Sequence, residues 1–99
     1  MNNLSNKQKK QLKGMGHALR PLVIIGQQGM KTSINDEIAI AIKHHQLVKI
    51  KVGISERNAR DKLIEEIAKT HRAILVQRIG NIALLYRFNP QKGKLEGLD

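Results

Sequence analysis

The sequence predicts a single α/β (α+β) domain: a four-stranded mixed sheet with helices packed on it, in the order α-β-α-β-α-β-β. Three observations predict it. From Leu47 to Ile54, the residues Val48, Ile50, Val52 and Ile54 alternate with Lys49, Lys51 and Gly53, the period-two pattern of a strand with one apolar face. Ile34, Ile38 and Ile42 recur every four residues, as on the buried stripe of a helix. Gly80-Asn81 separates two apolar runs, Ala73–Ile79 and Ile82–Phe88, in the manner of a two-residue hairpin turn. Strand–helix–strand alternation implies parallel strands joined by crossovers, and the final hairpin adds an antiparallel strand.

The elements follow in order. Ser5-Asn6-Lys7-Gln8 reads as a capping box, with Ser5 as N-cap and Gln8 at N3. Leu12 and Met15 share one face of the first helix, with Leu19 extending the stripe. Lys7, Lys10 and Lys13 form a basic ridge on it. Gly14 and Gly16 are expected to end or loosen this helix. Leu22–Ile25, between Pro21 and Gly26, reads as a short strand buried on both faces. Thr32 or Ser33 is expected to cap the second helix, with Asp36 and Glu37 in its first turn and Lys43, His44 and His45 in its last. A third helix is expected over about 58–70, burying Leu63, Ile64, Ile67 and Ala68. Residues 89–99, with a proline, two glycines and mixed charge, read as a loose tail after a domain spanning 1–88.

Ninety-nine residues support one modest core. Tyr86 and Phe88 are the only aromatic residues, so aliphatic side chains must fill that core, and several stacked bases are excluded as a binding mode. Eighteen Lys and Arg against eight Asp and Glu give a net charge of +10. Residues 1–35 hold Lys7, Lys9, Lys10, Lys13, Arg20 and Lys31 and no acidic residue. Charge gathered at one end is the electrostatic footprint of a polyanion binder. The absence of cysteine excludes disulfides and thiolate zinc sites. The polar, basic N-terminus does not read as a signal peptide, and no apolar run approaches a membrane span, so the expected location is the cytoplasm.

Gly26-Gln27-Gln28-Gly29 joins the end of a strand to the start of a helix. Ligands of open α/β folds collect at such junctions, and the first amides of a helix can bind an anion. Two glycines allow a phosphate backbone to approach closely, with Arg20 before the strand and Lys31 after the turn adding charge. The turn lacks the third glycine of a dinucleotide fingerprint and the GK[ST] ending of a P-loop. His17, His44, His45 and His71 show no metal-ligand spacing, and Glu65 and Glu66 diverge on a helix rather than forming an acid/base pair. Neither a catalytic residue nor a cofactor is expected. Arg57 and Arg60 lie at the start of the third helix and Arg78 and Arg87 on the hairpin, where Arg78 and Arg87 can extend a basic surface.

Taken together, Leu12-Lys13-Gly14, His17-Ala18-Leu19-Arg20-Pro21 and the strand into Gly26-Gln27-Gln28-Gly29 resemble the YhbY family, the bacterial stand-alone form of the CRM domain (chloroplast RNA splicing and ribosome maturation). The resemblance continues through His44–Val52 and Ile79-Gly80-Asn81 to Leu85-Tyr86-Arg87, covering roughly residues 4–88. It implies a fold similar to the C-terminal domain of bacterial translation initiation factor three. It also implies RNA binding through the GxxG loop, here Gly26, Gln27, Gln28 and Gly29, flanked by Lys31, Arg20 and the helix lysines Lys7, Lys10 and Lys13. The implied partner is ribosomal RNA in precursors of the large (50S) subunit. Many relatives carry a basic residue inside the loop; both middle positions here are glutamine, which shifts the electrostatic work to the flanks. KH domains also use a GxxG loop, but theirs lies between two helices, so the likeness is one of mechanism.

The expectation is thus a non-enzymatic, monomeric RNA-binding protein assisting ribosome assembly, with no membrane or small-molecule partner. Two alternatives stay open. One is a protein that docks on an acidic protein surface, and the other is a small RNA-modifying or RNA-cleaving enzyme.

Overall fold

The computed structural model describes residues 4–99. The elements are α1 (Asn6–His17), β1 (Val23–Ile25), α2 (Thr32–His45), β2 (Leu47–Val52), α3 (Arg57–Thr70), β3 (Ile74–Ile79) and β4 (Ile82–Tyr86), in the expected order. The sheet order is β1-β2-β4-β3. β1 runs parallel to β2, with Val23 opposite Ile50 and Ile25 opposite Val52. β4 is antiparallel to both β2 and β3, so β3 shares the direction of β2 but lies one place away from it. The hairpin at Gly80, whose φ is +57°, folds β4 back into the gap between them.

This arrangement explains β4. Ala83, Leu84, Leu85 and Tyr86 are all buried, because helices cover β4 on one face and α1 with the C-terminal segment covers it on the other. On one face, Val23, Ile25, Val48, Ile50, Val52, Ala83 and Leu85 pack against Ile38 and Ile42 of α2 and Ile64 and Ile67 of α3. On the other, Leu47, Val76, Leu84 and Tyr86 pack against Leu12 of α1 and Leu98. Three layers result.

β1 departs from the expectation of burial on both faces. Val23 and Ile25 are in the core, but Ile24 is 65% exposed. β1 is an edge strand, and the cluster that α1 packs into draws on β2, β3 and β4 but on no residue of β1. The strand buried on both faces is β4. α1 also runs past both of its glycines. Gly16 is buried against the sheet, where a Cβ would stand 2.5 Å from Leu84 Cδ2, so the residue permits close helix–sheet approach rather than ending the helix. The Ser5 capping box forms as expected, with Gln8 N–H donating to Ser5 Oγ at 3.1 Å and Ser5 N–H to Gln8 Oε1 at 2.9 Å.

Residues 89–99, expected as a loose tail, pack on the domain. Leu98 enters the core beside Leu12, with Leu95 at its margin. The Lys7 ammonium lies 2.7 Å from the Asp99 carboxylate, and Gln8 donates to the Asp99 carbonyl at 2.7 Å. Leu95 and Leu98, two apolar residues in a polar stretch, give it an apolar anchor that the composition obscured. The buried Gln46 fastens the beginning of this segment. Its side chain donates to Gly93 O at 2.9 Å and accepts from Asn89 N–H at 2.9 Å, and its backbone φ is +63° where α2 turns into β2. Gln46→Ala leaves both partners unpaired and should cost about 1–3 kcal/mol in urea unfolding. A variant as stable as the parent would show that the segment is held by other contacts.

His71, the C-cap of α3, is buried, and its Nε2 stands 3.0 Å from Asn35 Oδ1 of α2. Burial, aided by the nearby Arg87 charge, holds the imidazole below its ordinary value of 6.5. The unfolded chain therefore takes up this proton first. The stabilising contribution is complete above about pH 6.5 and is lost as pH falls through the lowered folded value. His71→Gln should flatten the fall in melting temperature between about pH 7 and pH 5. An unchanged slope would assign the acid sensitivity to other groups.

Candidate functional site

Three connections meet at one end of the sheet. They are residues 26–31 after β1, residues 53–56 after β2, and the Gly80-Asn81 turn. Ile25 lies opposite Val52, Lys51 opposite Ile82, and Ile82 opposite Ile79, which sets the strand ends side by side. Val52 N–H donates to Asn81 O at 2.7 Å, and Gly53 N–H to Ile25 O at 2.7 Å. A Cβ on Gly53 would stand 3.0 Å from that same Ile25 carbonyl, so glycine is what lets the first two connections approach.

The Gly26–Gly29 segment is a tight turn closed by Gly29 N–H donating to Gly26 O at 3.0 Å. Gly29 has a φ of +83°, a conformation that L side chains rarely adopt. No atom lies within 4 Å of the space a Cβ would occupy at Gly26 or Gly29, so both glycines face open surface. The two glutamines differ. The Gln27 amide donates to Ser55 Oγ at 3.0 Å and its Oε1 accepts from Ser55 N–H at 3.2 Å, pinning the turn to the β2–α3 connection. Gln28 is exposed and makes no side-chain bond among the described residues. Of the pair, Gln28 has its whole amide unengaged.

The turn leads into an uncapped helix. Ser5 caps α1, and the Glu56 carboxylate caps α3 by accepting from Asn58 N–H at 2.8 Å and Ala59 N–H at 3.0 Å. At α2 the N-cap position is Lys31, with no side-chain cap. The expected cap by Thr32 or Ser33 does not form: both residues are already inside the helix, and Asp36 and Glu37 lie beyond its first turn. Ile34 and Asn35 N–H donate to Lys31 O at 3.0 and 3.1 Å, which leaves the Thr32 and Ser33 amides without a partner among the described residues. Such amides, at the positive end of the helix dipole, suit an anion. Lys31 is exposed beside them.

The other expected basic residues stand apart. Arg20 is exposed at the amino end of β1, and the turn is at its carboxyl end, on the order of 15 Å away along an extended strand. Lys10 and Lys13 are exposed on α1, on the sheet face opposite α2. Lys7 is engaged by Asp99. Their hydrogen bond raises the Lys7 amine above its ordinary value and holds the Asp99 carboxyl below its own. The structure instead places Arg57, Arg60 and Arg78 together beside Gly80, around an open cleft of about 450 Å³ at the same sheet end as the turn. Sequence spacing offered only the Arg57–Arg60 pair on α3. Arg78 joins them across the fold, while Arg87 lies elsewhere, its Nη1 3.4 Å from His71 O.

The comparisons agree with this fold. The model of the CRS1 / YhbY (CRM) domain matches residues 4–87. The chain belongs to that family. It is 40% identical over 91 residues to a Pseudomonas aeruginosa protein named as a probable RNA-binding protein, covering 92% of this chain and 88% of the relative. It is 41% identical over 87 residues to a Haemophilus influenzae protein named as an RNA-binding protein, covering 88% of each. The solution structure of the Staphylococcus aureus protein SAV1595 superposes with a TM-score of 0.79 at 25% identity, covering 98% of both chains. The three-helix, four-stranded α+β architecture is thus shared with that solved structure.

The two glycines of the turn separate by conformation. Gly29→Ala should cost about 1–2 kcal/mol of folding stability, because alanine is strained at its positive φ. Gly26→Ala should stay within about 0.5 kcal/mol of the parent. Equal losses in chemical denaturation would mean that the turn is not held in this conformation.

Proposed function

We propose that this protein binds RNA through the Gly26–Gly29 turn and the uncapped start of α2, and that it acts on ribosomal RNA in precursors of the large subunit. The observation that carries the reading is the pairing of an open glycine turn with the one helix start, among the described residues, that has no side-chain cap. Phosphate oxygens accept from the Thr32 and Ser33 amides, Lys31 adds a cation beside them, and Gly26 and Gly29 let the sugar–phosphate backbone come close. Gln28 reaches the same strand as a neutral hydrogen-bonding group. The net charge of +10 and the exposed Lys10, Lys13 and Arg20 supply attraction over a longer range.

The names of the Pseudomonas and Haemophilus relatives support RNA as the polyanion. The family resemblance supports the ribosomal partner. In this reading the protein is a cytoplasmic monomer that binds without catalysing a reaction: the groups at the turn are amides, glycines and a lysine, which hold phosphate but provide no nucleophile–base pair.

Gly26→Asp places a carboxylate at open space in an unstrained position. It should weaken RNA binding at least about tenfold, the loss of one charge-assisted contact, while the circular dichroism spectrum stays that of the parent. For the parent, the logarithm of affinity should fall by about 0.7–0.9 per phosphate contact for each log unit of salt. Crosslinking in cells followed by sequencing of the bound RNA should recover large-subunit ribosomal RNA. A flat salt response, or partners in a pull-down that survive nuclease treatment, would replace RNA with an acidic protein surface.

A further inference from the structure

We propose that the cleft lined by Arg57, Arg60, Arg78 and Gly80 is a second phosphate-binding site, one that grips a phosphodiester of the same RNA strand that passes over the Gly26–Gly29 turn. It rests on the RNA-binding reading above and adds to it a site on different elements, α3 and the β3–β4 hairpin.

Three guanidinium groups line one cleft of about 450 Å³ that is open to solvent, a shape suited to a chain passing through rather than to an enclosed small molecule. Each is held differently. Arg78 is paired with Asp61 and donates from Nε to Gly80 O at 3.3 Å, which fixes its plane. Arg60 donates from Nη1 to Ile54 O at 3.4 Å, and its Nε is buried with no partner. Arg57 is exposed and forms no ion pair among the described residues. The neighbouring carboxylates are already committed: Asp61 to Arg78, and Glu56 to the α3 amides. Three like charges converging on two committed counter-charges repel one another, and a bound anion relieves this. The free fork of Arg57 matches phosphate oxygens in geometry as well as charge, and Arg60 adds the guanidinium hydrogens that Ile54 O does not take. The α3 amides take no part, since Glu56 caps them.

The cleft and the turn share their support. Ser55 holds Gln27 of the turn, and Ile54, one residue earlier, holds Arg60 of the cleft. The connection between β2 and α3 therefore sets the position of both, and a strand leaving the α2 amides across Ser55 meets Arg57 and Arg60 next. Residues 54 and 55 thus fix the spacing between the two phosphate contacts.

The test uses the full chain, a fluorescent RNA hairpin with single-stranded flanks, and a series of salt concentrations. Arg57→Gln and Arg60→Gln should each weaken binding about three- to tenfold, a loss typical of charge-assisted contacts at a partly solvated site. Each should also make the salt slope shallower by about 0.7–0.9, one phosphate contact fewer. Arg57→Lys should restore the slope while recovering only part of the affinity, because lysine supplies charge without the fork. Arg57 is exposed, so its variants decide the matter even if Arg60→Gln fails to fold. Parent-like affinity and slope in Arg57→Gln, with Gly26→Asp still impaired, would overturn the second site and leave the first standing. A parent that binds no RNA, or a harmless Gly26→Asp, would bring down the underlying reading instead. Oligoglutamate of equal charge that binds as tightly as the RNA, and loses affinity in the same variants, would assign the cleft to a protein carboxylate and overturn the proposal.

Discussion

β4 is an apolar strand placed between two others, and most of the molecule follows from having to cover it twice. Ala83 and Leu85 face α2 and α3; Leu84 and Tyr86 face α1 and the C-terminal segment. A strand exposed on one side would leave a leucine and a tyrosine in water, a loss of roughly 1.5–3 kcal/mol for each large side chain. Hence α1 must lie close, and Gly16 over Leu84 lets it do so. Hence also the C-terminal segment must come down, since α1 alone does not cover the face and Leu98 completes it.

The same insertion builds the end of the sheet that carries the candidate site. With β4 between β2 and β3, the β3–β4 turn is carried to the end where β1 and β2 finish. Three connections that are far apart in sequence become neighbours, and their contacts are short and backbone-based. Gly53 N–H reaches Ile25 O, and Val52 N–H reaches Asn81 O, both at 2.7 Å. Backbone contacts of this kind leave side chains such as Lys31, Gln28 and Arg57 free to point outward, while Gln27 is used to lock the turn. A turn fixed in advance loses little entropy when a ligand arrives, which favours tight binding from few contacts.

What could be read from the sequence was what depends on local pattern. The β2 alternation, the isoleucine stripe of α2 and the Gly80-Asn81 turn are each short-range signals, and all three elements formed. The Ser5 box is equally local. What could not be read depends on strand order. Leu22–Ile25 and Ile82–Tyr86 are both unbroken apolar runs, and nothing within either says that the first is an edge and the second the centre. The site was legible to the same extent. The glycine turn announces itself, but the absence of a cap on α2 does not, because Thr32 and Ser33 are both good capping residues that lie one and two positions too far along. The arginine cleft was the least visible part, since Arg78 reaches Arg57 and Arg60 only through the hairpin's return.

These placements separate two kinds of positive charge. Lys10, Lys13 and Arg20 are exposed, unpaired among the described residues and distributed over different faces, so salt screens them over about 8–10 Å and they act on approach rather than on fit. Lys31 and the arginines beside Gly80 lie at the sheet end, where amides and carbonyls define directions as well as charge. In the proposed RNA-binding reading, the first group sets how often the polyanion arrives, and the second sets how it lies once there. The glutamines of the turn fit this division. A cation between Gly26 and Gly29 would add attraction at a point already rich in it, whereas Gln27 adds the two hydrogen bonds to Ser55 that keep the turn, the α2 amides and the arginine cleft in one fixed relation.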